Sequence, residues 1–222
     1  MVIRASYHKE LDKLEADVIR MGKMAGDAVK ASVIALQERD IAASGKIIKN
    51  DKKINTLRYE IEERCLLLIA TQQPMAGDLR TIAALLSIIT DLERIGDHAE
   101  GNARISLLIG DKPLIKQTVS LSKMAAQGVS MLERCLIAFK ERDKETAKTI
   151  CDEDDIVDDL YDKEYRELLD MMIKDTSLIQ EGTYMTWAGH NLERVADRVT
   201  NIAERVVFMV TGKMEELNVS KY

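Results

Sequence analysis

Apolar positions along the chain recur at alternating steps of four and three residues. Tyr7, Leu11, Leu14, Val18, Met21, Ala25, Ala28, Ser32 and Ala35 form the first such run. This spacing is the seam of a long helix packed nearly parallel to its neighbours, and it predicts a first helix ending near Arg39. Asp40 is placed to cap a second helix, whose seam includes Ile47, Ile54, Leu57, Ile61, Cys65 and Leu68. That helix should stop at Gln72-Gln73-Pro74, because the residue before a proline disfavours the helical region. Gly77-Asp78 gives a turn and a cap, and a third helix is expected from Asp78 to about Leu108. Gly110-Asp111-Lys112-Pro113 combines helix-stop and turn signals and is the strongest break in the chain. Beyond it a fourth helix is expected from Leu114 to about Phe139, and a fifth, capped by Asp143, to about Lys174. Asp175-Thr176-Ser177 is a turn and cap, and a sixth helix follows to about Val210. The tail after Gly212 is expected to fray or to form a short helical turn.

The pattern is written twice. Asp91-Leu92-Glu93-Arg94-Ile95-Gly96-Asp97 returns as Asn191-Leu192-Glu193-Arg194-Val195-Ala196-Asp197, an offset of 100. Asp51, Ile54, Asn55, Leu57 and Leu66 match Asp154, Val157, Asp158, Leu160 and Leu169 at an offset of 103. The helices correspond while the loops differ. An all-α fold follows: two tandem three-helix bundles, six long helices in all, related by internal duplication and by a pseudo-twofold. Short connections make each an up-down-up bundle, one from residues 1–110 and one from 114–222.

Composition narrows the class. Apolar residues are 46% of the chain but aromatics only 4%, so the core must be aliphatic. The two prolines, Pro74 and Pro113, leave long stretches free to be helical. A formal charge of −6 and no basic cluster argue against nucleic acid as a partner. No run approaches the ~20 apolar residues of a membrane span, and the start of the chain turns polar by His8-Lys9-Glu10, unlike a secretory signal. A cytoplasmic protein is expected. Cys65, Cys135 and Cys151 have no metal or redox spacing and read as buried free thiols.

Glu and Asp four apart lie one above the other on a helix face, and their repulsion costs a few tenths of a kcal/mol unless a cation intervenes. Both pairs, Glu93 with Asp97 and Glu193 with Asp197, flank an apolar stripe, which places them at a groove or bundle edge. Carboxylate oxygens are hard ligands suited to Mg, Mn, Ca or iron. Two such groups are an incomplete shell. Asp51, Asp154 and Asp78 are candidates to complete it, Asn201 and Glu204 extend the second line, and His98 and Glu100 are the candidates to supplement the first. The alternative is a solvated face on which Arg94, Arg194 and Arg198 pair with the acids. His8 and His190 read as structural or exposed, Trp187 as packing, and the methionines as gap fillers. No phosphate loop, nucleophile elbow or Glu-x-x-His motif is present.

Gln72-Gln73-Pro74-Met75-Ala76-Gly77-Asp78-Leu79-Arg80, followed by Asp91 to Ala99, resembles the PhoU family of accessory proteins of phosphate-specific transport. Asn191 to Glu204 and Asp154 to Leu169 resemble the family's second copy, so the resemblance spans nearly the whole chain. It implies a regulatory adaptor of phosphate uptake and phosphate-starvation signalling, not an enzyme. It implies metal at the Glu-x-x-x-Asp motifs (Fe, Mn, Mg or Zn) on Glu93, Asp97, Glu193, Asp197, Asn201 and Glu204. It also implies a homodimer that couples a phosphate transporter's ATPase subunit to a sensor histidine kinase and holds the starvation response off. The chain departs from the family at Gly101 and Arg104, where Asn or Asp and Glu are usual, so the second site should be richer in oxygen ligands. The competing readings are a metal-dependent hydrolase of a small phosphate compound, with His98 its one candidate base, and a metal-free helical interaction module.

Overall fold

The computed structural model describes residues 2–116 and 118–217, with side chains from residue 7 onward. The ends of the two expected halves, residues 1 and 218–222, lie outside the described residues. Among the described residues every regular element is helical: α1 (Val2–Glu38), α2 (Ile41–Gln72), α3 (Gly77–Ile109), α4 (Val119–Glu141), α5 (Lys144–Cys151), α6 (Asp154–Lys174) and α7 (Ile179–Thr211), with a 3₁₀ turn at Thr176–Leu178. α1–α3 form the first three-helix bundle and α4–α7 the second.

Local chemistry sets most boundaries. The Asp40 carboxylate accepts the Ala43 N–H at 2.8 Å, and Asp143 accepts from Glu145 and Thr146, so each satisfies backbone donors that a helix start leaves bare. Gly212, at φ +76°, closes α7 in the left-handed conformation. Asp78, expected as a cap, is instead in the first turn of α3, where its charge favours the helix N-terminus; no side chain caps that helix.

Three boundaries differ from expectation. α4 begins at Val119, not Leu114. The segment after Pro113 is drawn towards α6, where Lys116 binds Glu164 at 2.9 Å and Glu167 at 2.6 Å. The expected fifth helix is two, broken at Asp152-Glu153. There Arg134 and Gln127 of α4 pull the Glu153 carboxylate out of line. The restarted helix carries Asp154 and Asp155 in its first turn, as the macrodipole favours. The tail from 213 to 217 is not helical. It folds back, so that the Leu217 N–H reaches Glu204 Oε1 at 2.9 Å and the Leu217 side chain packs on the core.

The core is aliphatic and continuous through both bundles, with Phe139 its largest fully buried side chain. α3 lies against α1, α2 and α7; α7 lies against α3, α4, α5 and α6; α1 meets α4. Gly22 permits that last approach, since a Cβ there would stand 2.6 Å from Leu136. α3 and α7 run antiparallel, with Asp91 beside Asn201 and Asn102 beside Asn191. Cys65, Cys135 and Cys151 are buried and free, as expected, and burial raises all three thiol pKa values, Cys65 to about 11. Trp187 is not packed away: it is half exposed, its ring beside that of Tyr184.

Candidate functional site

Each Glu-x-x-x-Asp pair lies on the flank of its helix, partly buried. The seam between α3 and α7 fixes this orientation. Leu92, Ile95, Leu192 and Val195 face inward and are nearly fully buried, so the intervening acids emerge beside the neighbouring helix, α2 in one half and α6 in the other.

The second half forms a groove of about 730 Å³. α6 supplies Asp154, Asp155, Asp158 and Asp159, and α7 supplies Glu193, Asp197, Asn201 and Glu204. Glu215 and Glu216 of the tail line it as well, so nine carboxylates share it with three guanidiniums, those of Arg194, Arg198 and Arg205. The charges are poorly balanced. Burial, then Glu193 and Asp197, push the Asp158 carboxyl up to about 6. Burial also raises Asp197, against the pull of Arg194. One oxygen of Asp158, Oδ1, is buried with no hydrogen-bond partner.

The first half carries a leaner version. Asp51 of α2 stands near Asp97, Glu100 and Glu93, and burial with these three charges pushes it up to about 6. Asn55, where the second half has Asp158, donates to Asp51 at 2.8 Å. Of the two groups expected to supplement this site, Glu100 pairs with Arg104 at 2.6 Å. His98 turns away to the α3–α7 seam, 3.4 Å from Asn191 Oδ1, where burial lowers its pKa. The hydrolase reading thereby loses its one candidate base.

Gly101 has a different purpose from the one its alignment with Asn201 suggests. A Cβ there would stand 2.9 Å from Asn191 Nδ2, so glycine leaves room for an amide that also donates to Asn102 at 2.9 Å. Asn201 makes the reciprocal contact, its amide 3.3 Å from Asp91 Oδ1 beside Arg198. Glu204 is already held by the tail. Asp78 is not in either acidic strip; its charge is felt by Tyr7. His8 is exposed, and His190, also exposed, stands 3.0 Å from Glu193.

Arginines accompany the acids, as the solvated-face alternative requires. Arg94 lies 3.2 Å from Asp97, and Arg194 clasps Glu193 and stands 2.7 Å from Asp197. Among the described residues no three His, Cys, Asp or Glu side chains converge to hold an ion. The donor set nonetheless fits a hard cation. Asp158 Oδ1 lacks a donor, and the oxygens around it are of the type such ions take. Asp154, Asp158, Glu193 and Asp197 line one groove and would have to draw together to hold it. Asp158 was visible in the sequence only as a repeat match; its signal was the same four-residue spacing, Asp154 to Asp158, that marks Glu193 and Asp197.

Tandem three-helix bundles bearing paired acidic strips define a class of duplicated helical proteins. The PhoU domain family matches residues 18–106 and 121–206. A phosphate-specific transport system accessory protein PhoU homolog from Clostridium acetobutylicum is 37% identical over 219 residues, covering 97% of this chain and 99% of its own. One from Aquifex aeolicus is 34% identical, covering 93% of each. The crystal structure of PhoU from Pseudomonas aeruginosa is similar at a TM-score of 0.89 and 31% identity, covering 93% of this chain and 100% of its own. That of the phosphate transport system regulatory protein PhoU from Streptococcus pneumoniae follows at 0.88 and 31%, covering 95% and 99%. The chain belongs to the PhoU family.

Proposed function

We propose that this chain is a regulatory accessory protein of a phosphate transport system, with a metal ion in the α6–α7 groove fixing the surface its partners read. The named relatives supply the regulatory context. The partners in this reading are the transporter's ATPase subunit and a sensor histidine kinase on the cytoplasmic side, met by a homodimer that keeps the starvation response off. Among the described residues no helix is long and apolar enough to cross a membrane.

One observation carries the metal part: a carboxylate oxygen on Asp158 is buried without a donor and faces the charges of Glu193 and Asp197. A cation there relieves the repulsion that raises these pKa values. Asp154, Asp158, Glu193 and Asp197 form the main site. Glu93 and Asp97, with Asp51, form a weaker one, because Asn55 replaces the fourth carboxylate. Asn201 and Glu204 border the main site and reach the ion only after leaving Asp91 and the tail.

Arg194 supports a second reading, in which its guanidinium is the permanent counter-ion and the chain is a metal-free interaction module. Titration of chelator-treated protein with Mn²⁺, Fe²⁺ and Mg²⁺ separates the two. The metal reading expects saturable binding that Glu193→Gln with Asp197→Asn removes while the helical signal persists. Unchanged binding in that variant puts the ion elsewhere and overturns the groove site; no binding in the wild type leaves the metal-free module.

A further inference from the structure

The duplication supplies an internal control for every space between helices. At an offset of 103, α1 corresponds to α4, and α2 to α5 and α6. Buried positions match: Val18 with Leu121, Met21 with Met124, Ile47 with Ile150, Ile54 with Val157. In the same register Met24, Ala31 and Asn50 correspond to Gln127, Arg134 and Glu153. In the second half those three side chains fill the space between the helices. Arg134 grips Glu153 with both guanidinium amines, and Gln127 donates to the same carboxylate at 2.9 Å. In the first half the space is an open cleft of about 330 Å³ between α1 and α2, bounded by Gly96 of α3.

The walls of the cleft are apolar: Met24, Ala28, Ala31 and Ile47. Its deep end is not. Asp51 is only 9% exposed, and its Oδ1 is buried against Gly96 with no hydrogen-bond partner. Asp27 adds a second carboxylate, and Lys53 is the one cation on the lining. Glu93 and Asp97 do not line the cleft; Asp51 is the residue it shares with the first acidic strip.

We propose that this cleft receives the guanidinium side chain of an arginine presented by a partner protein. An arginine has an apolar stem for the methyl-lined walls and a charged, planar donor head for the carboxylates. A buried carboxylate oxygen without a donor is costly, and a guanidinium N–H offsets that cost. The second half of the chain already seats an arginine in the corresponding space, delivered as a side chain from a helix. The first half has the space, with Ala31 and Asn50 where the second half has Arg134 and Glu153, and Asp51 as its buried carboxylate. The proposal is independent of metal in the α6–α7 groove; on the first strip an ion would compete for Asp51, so the test is run on chelator-treated protein.

The test uses the full chain, NMR amide shifts, and Nα-acetyl-arginine amide as the probe. Saturable shifts confined to residues around 24–31 and 47–54 are expected, with none from the neutral Nα-acetyl-norleucine amide. The triple substitution Met24→Gln, Ala31→Arg, Asn50→Glu installs the plug of the second half. It should weaken the probe by at least about tenfold, or ~1.4 kcal/mol, while keeping the helical circular dichroism of the wild type. If that variant does not fold, Asp51→Asn carries the same expectation, and Glu141→Gln, an exposed acid in the other half, should leave binding unchanged. Equal binding of the norleucine compound, undiminished binding to the plugged or Asp51→Asn protein, or absence of saturable shifts overturns the proposal. Free L-arginine or agmatine binding at least about tenfold more tightly than the capped amide would make the ligand a metabolite and overturn the partner-protein source.

Discussion

The α6–α7 groove holds more negative charge than folding alone favours, and Asp158→Asn measures the excess. The Asp158 carboxyl moves from 3.8 to about 6 in the folded chain. An acid whose folded pKa lies above its unfolded value stabilises the fold fully below about pH 4, and this contribution is lost as pH rises through about 6. Two units correspond to ~3 kcal/mol at neutral pH. The groove is open to solvent, so screening reduces this to about half, ~1–1.5 kcal/mol. Asparagine keeps the shape and removes the ionisation. In chelator-treated protein the variant should therefore be more stable than the wild type at pH 7.5 by ~1–1.5 kcal/mol, roughly 2–6 °C in Tm for a chain of this length.

The pH dependence separates this account from a generic packing gain. At pH 3, below both the folded and the unfolded pKa of Asp158, both proteins carry a largely neutral side chain in either state, and the two Tm values should lie closest. Between pH 4 and 7 they should diverge, then run parallel. Thermal denaturation followed by circular dichroism across that range is sufficient. A variant less stable at pH 7.5, or a gain as large at pH 4 as at 7.5, refutes the claim that the burial of an ionised Asp158, with repulsion from Glu193 and Asp197, is the cause. Asp51→Asn in the first half should show the same sign, since its pKa is raised in the same way.

Three further outcomes follow from individual contacts. Lys116→Met should cost ~3–5 kcal/mol in urea denaturation, because Glu164, only 1% exposed, would keep a buried charge without its cation. Adding Glu164→Ile, which copies Ile61 from the first half, should recover most of the loss. Gly101→Val should destabilise by ~1–3 kcal/mol by driving into Asn191, and Asn191→Ala should relieve part of it in a double-mutant cycle. Cys65, Cys135 and Cys151, buried and with raised pKa values, should resist a thiol reagent at pH 8 in the native chain and react in denaturant; fast native labelling of any of them contradicts their placement.

What the sequence made legible was what neighbouring residues decide. Asp40 and Asp143 cap helices because the donors they satisfy lie two or three residues away. The seams were readable because burial follows the helical period. The break at Asp152-Glu153 was not, because its cause is on another helix, in Arg134 and Gln127. The late start of α4 depends likewise on Glu164 and Glu167, about fifty residues beyond Lys116. Gly101 was the most instructive position. By alignment it lacks a ligand; in space it is also the room that Asn191 occupies, a fact no pattern within one helix contains.

These cases share a rule. Under the pseudo-twofold, the contact of Asp91 with Asn201 and the contact of Gly101 with Asn191 are the same contact made twice, once through a pair of polar side chains and once through an amide and a gap. Where the two copies agree, at Glu93 and Glu193 or Asp97 and Asp197, both halves meet the same demand. Where they differ, one half carries a group that the other leaves out: Asp158 against Asn55, Glu164 against Ile61, Arg134 against Ala31. Each difference falls at a groove or a helix contact, and two of the added groups meet a charged partner nearby, Lys116 for Glu164 and Glu153 for Arg134. Partners nearby do not satisfy every atom: Glu164 keeps Oε1 buried without a donor, as Asp51 and Asp158 keep Oδ1. Asp51 and Asp158 differ in that burial and neighbouring acids push both carboxyls up to about 6, so these are the two positions where the proposed arginine and cation would relieve the most.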